Sequence, residues 1–213
     1  MKTDALIDRL SEEAAPVPRG AAWRRLALGT GAGALVSGAI MLAWLGIRPD
    51  LGEALATGAY WMKFFYTLLL AIAALWLVER LSRPGARSRV QMLFEALPVA
   101  AIVFAAAFEL MHAAAPARHR LMMGASSDVC PYRIVALSLP VLAGVLWSLA
   151  KLAPTRLVLA GVAAGLAAGA VGAFIYAFHC DESALPFVAI WYTFGIAVAG
   201  AIGGFAGRWL LRW

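Results

Sequence analysis

The sequence is poor in charge. Asp, Glu, Lys and Arg make up only 14% of its 213 residues, while 63% are hydrophobic and mean hydropathy is +0.81. Soluble domains carry roughly 25% charged residues, so a water-soluble globule, a disordered chain and a coiled coil are all excluded. Cysteine is scarce: two residues are too few for a disulfide scaffold and enough for a single bridge. There is no Walker loop, GxSxG, HExxH, dinucleotide fingerprint or Cys-X-X-Cys, and no buried charge series of the kind a proton-driven pump carries. An enzyme or transporter therefore has little to work with, and no cofactor or resident metal is expected.

What the chain does contain is apolar runs. Six of roughly 17–22 residues match the length needed to cross a ~30 Å hydrocarbon core: Leu26–Ile47, Tyr60–Val78, Leu93–Ala113, Ile134–Ala150, Leu157–Phe178 and Phe187–Gly207. Unpaired backbone groups are not tolerated in lipid, so the runs must be helices. The expected fold is all-α, a polytopic membrane protein with six transmembrane helices. It divides into a segment at 1–25 and a membrane domain at 26–213. Residues 1–25 mix acids with bases and show no cleavage site, unlike a secretory signal.

Basic residues set the expected orientation. Thirteen Lys and Arg flank the spans on the side of both termini, among them Arg24, Arg25, Arg80, Arg83, Arg87, Arg89, Lys151, Arg156 and Arg208. The other side has five: Arg48, Lys63, Arg118, Arg120 and Arg133. The positive-inside rule then places both termini in the cytoplasm. Trp61, Tyr132, Trp191, Tyr192, Trp209 and Trp213 fall near span ends, as an aromatic belt would, although Trp191 and Tyr192 suit buried packing equally well. Gly161, Gly165 and Gly169, and Gly200 with Gly204, form small-residue ridges for close helix packing, either within the chain or across a homodimer.

On this topology Cys130, in the third-to-fourth loop, and Cys180, opening the fifth-to-sixth loop, both face outward, within reach of a membrane-impermeant maleimide. Three readings stand. A permanent bridge would close a loop of about 50 residues and contribute roughly 4 kcal/mol in the chain-entropy model. A switchable thiol pair would respond to oxidants. A metal site drawing on Cys130, Cys180, His179, His112, Asp181 and Glu182 would suit a soft or borderline ion, though no ligand spacing supports it. A bridge requires the long third-to-fourth loop to fold back over the short fifth-to-sixth turn. Glu109 and His112 share a face at the outer end of the third span. There Glu109 is expected to reach headgroup water or pair with Arg118 or Arg120, and Glu95 at the inner end is read the same way.

Thr3 to Ala14 has helical spacing, with Leu6, Ile7 and Leu10 on one face and Pro16 and Pro18 ending it. Asp4, Asp8, Glu12 and Glu13 outweigh Lys2 and Arg9. A helix made to lie on anionic lipid would be basic, so this acidic stripe suits a basic protein partner in a helix-in-groove contact.

The order of elements resembles a known family. Met1-Lys2-Thr3-Asp4-Ala5-Leu6-Ile7 precedes the spans. Phe108-Glu109-Leu110, the Cys130 loop, Leu137-Ser138-Leu139-Pro140 and Ala153-Pro154-Thr155-Arg156 follow. Then come Leu159-Ala160-Gly161, Ala163-Ala164-Gly165-Leu166, His179-Cys180-Asp181-Glu182, Trp191-Tyr192 and Arg208-Trp209-Leu210-Leu211-Arg212-Trp213. Together they look like the NrsF family of membrane-embedded anti-sigma factors, over nearly the whole chain. The resemblance implies a bacterial inner-membrane protein that sequesters an extracytoplasmic-function sigma factor. It also implies that Cys130 and Cys180 take part in sensing oxidative or heavy-metal stress. Leu6, Ile7 and Leu10 would then lead the contact with the sigma factor, without direct contact to nucleic acid. The alternative is a redox- or metal-handling membrane protein with Cys130 and Cys180 as its active pair.

Overall fold

The computed structural model describes Thr3, Ile7, Pro18, residues 20–85 and residues 88–212. Among them there is no strand. Ile7 is helical and exposed, whereas Leu6 and Leu10, its partners in the expected stripe, lie outside the described residues. Six helices are long and apolar enough to cross a membrane. In chain order the helices are α1 (Ala21–Trp44), the short α2 (Leu51–Ala54), α3 (Gly58–Leu81), α4 (Arg89–His112), the short α5 (Ala115–Met123), α6 (Cys130–Ala150), α7 (Leu157–Tyr176) and α8 (Leu185–Leu210).

The centre of the bundle is α7, which packs on α3, α6 and α8. Its sequence explains the position. Ala160, Ala163, Ala164, Ala167 and Ala168 are wholly buried, and side chains this small let neighbouring backbones approach from several sides at once. Toward α8 the approach is closest. A Cβ on Gly165 would fall 2.8 Å from the Gly200 Cα, and one on Gly207 would fall 2.7 Å from the Gly161 Cα. Both glycine ridges are thus used within one chain, and neither is left as a homodimer face.

A second seam joins α1 to α6. Gly29 meets Gly144, and a Cβ on Gly33 would sit 2.6 Å from the Pro140 carbonyl oxygen. Ser37 donates to the Leu137 carbonyl at 2.5 Å, and Ser148 donates to the Arg25 carbonyl at 2.9 Å. By contrast α4 is peripheral: of its 24 residues only Gln91, Ile102 and Ala106 are buried.

Two boundaries differ from the sequence expectation. The third-to-fourth connection contains α5, with Pro116 in its first turn, and α6 begins at Cys130 rather than Ile134. Pro131 explains the early start, since a proline in the first turn of a helix gives up no hydrogen bond and presets φ. Cys130 is therefore a helix residue and not a loop residue. Near its start α8 widens into a π turn over Val188–Tyr192.

Candidate functional site at the cysteine end

One end of the bundle gathers the C-terminal ends of α1, α4 and α7 and the N-terminal ends of α3, α6 and α8. Because α6 and α7 pack side by side, the first residue of α6 comes to lie beside the residues that follow α7. The thiols of Cys130 and Cys180 face one another there, close enough to interact directly, and are not bonded. They share a core with Tyr176, Phe187, Val188 and Tyr192. Cys130 is 0% exposed and Cys180 2%. The expected openness to an impermeant maleimide is thereby corrected: α6 starts early enough to carry Cys130 inward, and the loop after α7 turns Cys180 in beneath it.

The loop after α7 is held by two buried cations. Lys63, 0% exposed on α3, donates from Nζ to the carbonyl oxygens of Cys180 at 2.9 Å and Glu182 at 2.8 Å. Arg48 donates from Nη1 to the same Cys180 carbonyl at 3.1 Å. Its other nitrogens, Nε and Nη2, clasp the Asp50 carboxylate at 2.7 and 2.6 Å. That clasp holds the Asp50 carboxyl below its ordinary range. Tyr60 and Tyr192 set their rings 5.9 and 5.7 Å from Lys63 Nζ, within cation–π reach. The Cys180 thiol is drawn below its ordinary value. A hydrogen bond from Cys130 contributes most, burial opposes it, and the Lys63 charge, the Tyr192 hydroxyl and the Glu182 N–H add to the lowering.

Around this centre the remaining residues brace the loop. His179 bridges Gly46 and α6: its Nδ1 lies 3.0 Å from the Gly46 carbonyl and its Nε2 lies 3.2 Å from Arg133 Nη1. An imidazole protonated at Nδ1 satisfies both contacts, since arginine only donates. Glu182 reaches across to the 124–129 segment, where its Oε1 accepts from the Ala125 N–H at 2.5 Å. Gly124 turns there with φ +54°, and a Cβ would collide with the Glu182 carboxylate. Trp191 Nε1 donates to the Met122 carbonyl at 2.9 Å. The long connection thus folds back over the short one, as a Cys130–Cys180 approach requires.

Other expected members stand apart. Glu109 pairs with neither Arg118 nor Arg120; its Oε2 accepts from the Leu185 N–H at 3.0 Å and caps α8, where four N–H groups lack helix partners. The His112 ring turns back to the Phe108 carbonyl of its own helix, at 2.9 Å. Asp181 is exposed. Among the described residues no three His, Cys, Asp or Glu side chains come together as a metal-holding group, so the expected convergence of six donors does not occur. Glu95 does not reach a partner either: its buried Oε2 has none.

A family model described as NrsF, "Negative regulator of sigma F", matches residues 10–213. The chain belongs to the NrsF family. It is 44% identical over 214 residues to the anti-sigma-F factor NrsF of Caulobacter vibrioides, and 43% identical over 213 residues to the probable anti-sigma-F factor NrsF of Azospira oryzae. Each match covers the whole of both chains. No solved structure matches the chain.

Within this NrsF chain the sequence reading missed Lys63 and Arg48, which it counted as loop cations. One signal was available for Lys63. A lysine one turn inside an apolar run is costly in lipid and points to a specific buried partner. Nothing in the sequence marked the Cys180 carbonyl as that partner.

Proposed function

We propose that the chain is an anti-sigma factor that holds an extracytoplasmic-function sigma factor at the bacterial inner membrane and releases it when Cys130 and Cys180 are oxidised. Its full-length identity to two anti-sigma-F factors carries this reading. In the proposed topology both termini are cytoplasmic, which the 13-to-5 division of basic residues supports. The cysteine end then faces the oxidising periplasm. The regulator works by binding and not by catalysis. The acidic segment with Leu6, Ile7 and Leu10 docks the sigma factor, and the lipid bilayer is its other partner.

The chemistry balances with a hydroperoxide. One thiol gives its proton to solvent, and the thiolate attacks the terminal peroxide oxygen; the products are a sulfenic acid and an alkoxide, which takes a proton back from solvent and leaves as the alcohol. The second thiol displaces its hydroxyl as water. Two thiols and one hydroperoxide thus become a disulfide, an alcohol and a water, and the peroxide takes the two electrons. Closing that bond draws the start of α6 onto the loop after α7. The α6 helix carries α1 with it, through Ser37 on the Leu137 carbonyl and Ser148 on the Arg25 carbonyl. Arg25 also donates to the Lys151 carbonyl at 3.3 Å. The docking segment leads directly into that end of α1, so movement of α6 reaches the site that holds the partner.

The test is co-purification of the sigma factor with full-length Leu6→Asp and Leu10→Asp variants. Each substitution removes about 1.5–3 kcal/mol of apolar burial and adds the desolvation of a carboxylate. Release of the sigma factor at unchanged membrane abundance is expected. Retention at wild-type levels by both variants would show that the 1–25 segment is not the docking element.

A further inference from the structure

We propose that Lys63 is the counter-ion of Cys180, so that the thiol pair is asymmetric, with Cys180 ionised and nucleophilic and Cys130 the hydrogen-bonding, resolving thiol. The inference deepens the thiol-based sensing above and rests on that reading only for its biological use.

Charge accounting at the cysteine end supplies the argument. Two cations are buried there, and a buried charge without compensation costs several kcal/mol. Arg48 is compensated by its two-point clasp on Asp50. Lys63 is fully buried and, among the described residues, forms no ion pair with any carboxylate. The nearby acids are engaged or turned away: Glu182 accepts from Ala125, and Asp181 is exposed. Two of the three ammonium hydrogens go to the carbonyls of Cys180 and Glu182. Neutral carbonyls orient an ammonium without cancelling its charge. The adjacent groups able to carry a negative charge are the thiols of Cys180 and Cys130, and of the two it is Cys180 whose carbonyl Lys63 already grips.

The neighbours sort the two thiols. Around Cys180 stand donors: the Cys130 thiol, the Tyr192 hydroxyl and the Glu182 N–H, all of which favour a thiolate. The Tyr192 hydroxyl is buried without a hydrogen-bond partner of its own, which leaves its proton free to turn to the sulfur. Tyr60 presents its ring to Lys63 at 5.9 Å, and Tyr176 is packed between the Tyr192 and His179 rings. Arg133 is turned toward His179. None of these supplies an anion to Lys63. With a hydroperoxide, Cys180 therefore attacks first and becomes the sulfenic acid, and the alkoxide it expels takes a proton from solvent and leaves as the alcohol. Cys130 then closes the disulfide and gives its proton to the departing hydroxide, which leaves as water.

Thiolate absorbance in the ultraviolet, titrated on detergent-solubilised full-length protein, tests this without requiring access to the buried sulfurs. The difference between wild type and Cys180→Ser isolates the Cys180 titration. The expected midpoint lies below the roughly 8.5 of a free thiol. In Lys63→Gln the midpoint should rise by at least about one pH unit, a tenfold loss of thiolate at fixed pH, while Lys63→Arg should keep most of the lowering. Circular dichroism checks that each variant is folded. A wild-type midpoint at or above that of a free thiol overturns the assignment, even if Lys63→Gln does not fold. So does a folded Lys63→Gln with an unmoved midpoint. A low midpoint in a protein whose sigma factor ignores oxidants would instead leave the ion pair standing and remove the sensing role.

Discussion

The burial of the thiols makes their reactivity a question of local opening, and the Glu182–Ala125 hydrogen bond gives a handle on it. Two ties hold residues 122–125 across the cysteine end: Glu182 Oε1 on the Ala125 N–H, and Trp191 Nε1 on the Met122 carbonyl. The first is charge-assisted. Glu182→Gln keeps the shape and removes the charge, and the amide nitrogen has no acceptor to meet at the Ala125 N–H. Charge-assisted bonds contribute about 1.5–3 kcal/mol. Partial exposure of this one reduces the expected loss to about 1–2 kcal/mol. When labelling is slower than reclosing, its rate follows the open population, which rises by a factor of about 5–30 for that loss. Time courses with a membrane-impermeant maleimide on vesicle-embedded protein read this directly, for both cysteines at once. Trp191→Phe, which removes the second tie, should accelerate labelling as well. If the two variants are each labelled within about twofold of wild type, the 122–125 segment does not gate the thiols and the reasoning fails.

Two further outcomes follow from packing and charge. Gly33→Val should lower the melting temperature in detergent, because its side chain must displace the Pro140 backbone of α6 and overpacking costs about 1–3 kcal/mol, whereas Gly31→Ala and Gly38→Ala, with open space around them, should not lower it. Asp50 is held below its ordinary value of 3.8 by Arg48, so its contribution is present above that value and is lost as the pH falls through the lowered one; acid unfolding curves should show this loss in wild type and lack it in Asp50→Asn.

The spans were legible because a long apolar run has one solution in lipid. Their pairing was not. Gly161, Gly165, Gly200 and Gly204 carry the same signature whether the partner helix belongs to the same chain or another, and only the three-dimensional arrangement brings α8 onto α7. The nearness of Cys130 and Cys180 could be framed as a condition on loop folding, and the Glu182 and Trp191 contacts meet that condition. The start of α6 was misjudged because Tyr132 and Arg133 look like loop residues, although Pro131 is a helix-start signal. Lys63 was misjudged because counting charges by side ignores depth. The contact of Glu109 with the Leu185 N–H joins residues 76 apart in sequence, beyond the reach of any local pattern.

The major seams of the bundle also set an order of events during synthesis. The partners of α1 and α3 are α6 and α7, which leave the ribosome long after them. Apart from the packing of α3 on α4, the first three spans therefore enter the bilayer before the helices that will cover them exist. Lys63 waits long for its acceptors too, because the Cys180 carbonyl lies 117 residues downstream. At about 5–20 residues per second that interval is on the order of ten seconds. Throughout it the ammonium must stretch along its methylene stem to the headgroup water. The completed cradle is thus also a checkpoint: α3 settles to its final depth only when the last hairpin has arrived.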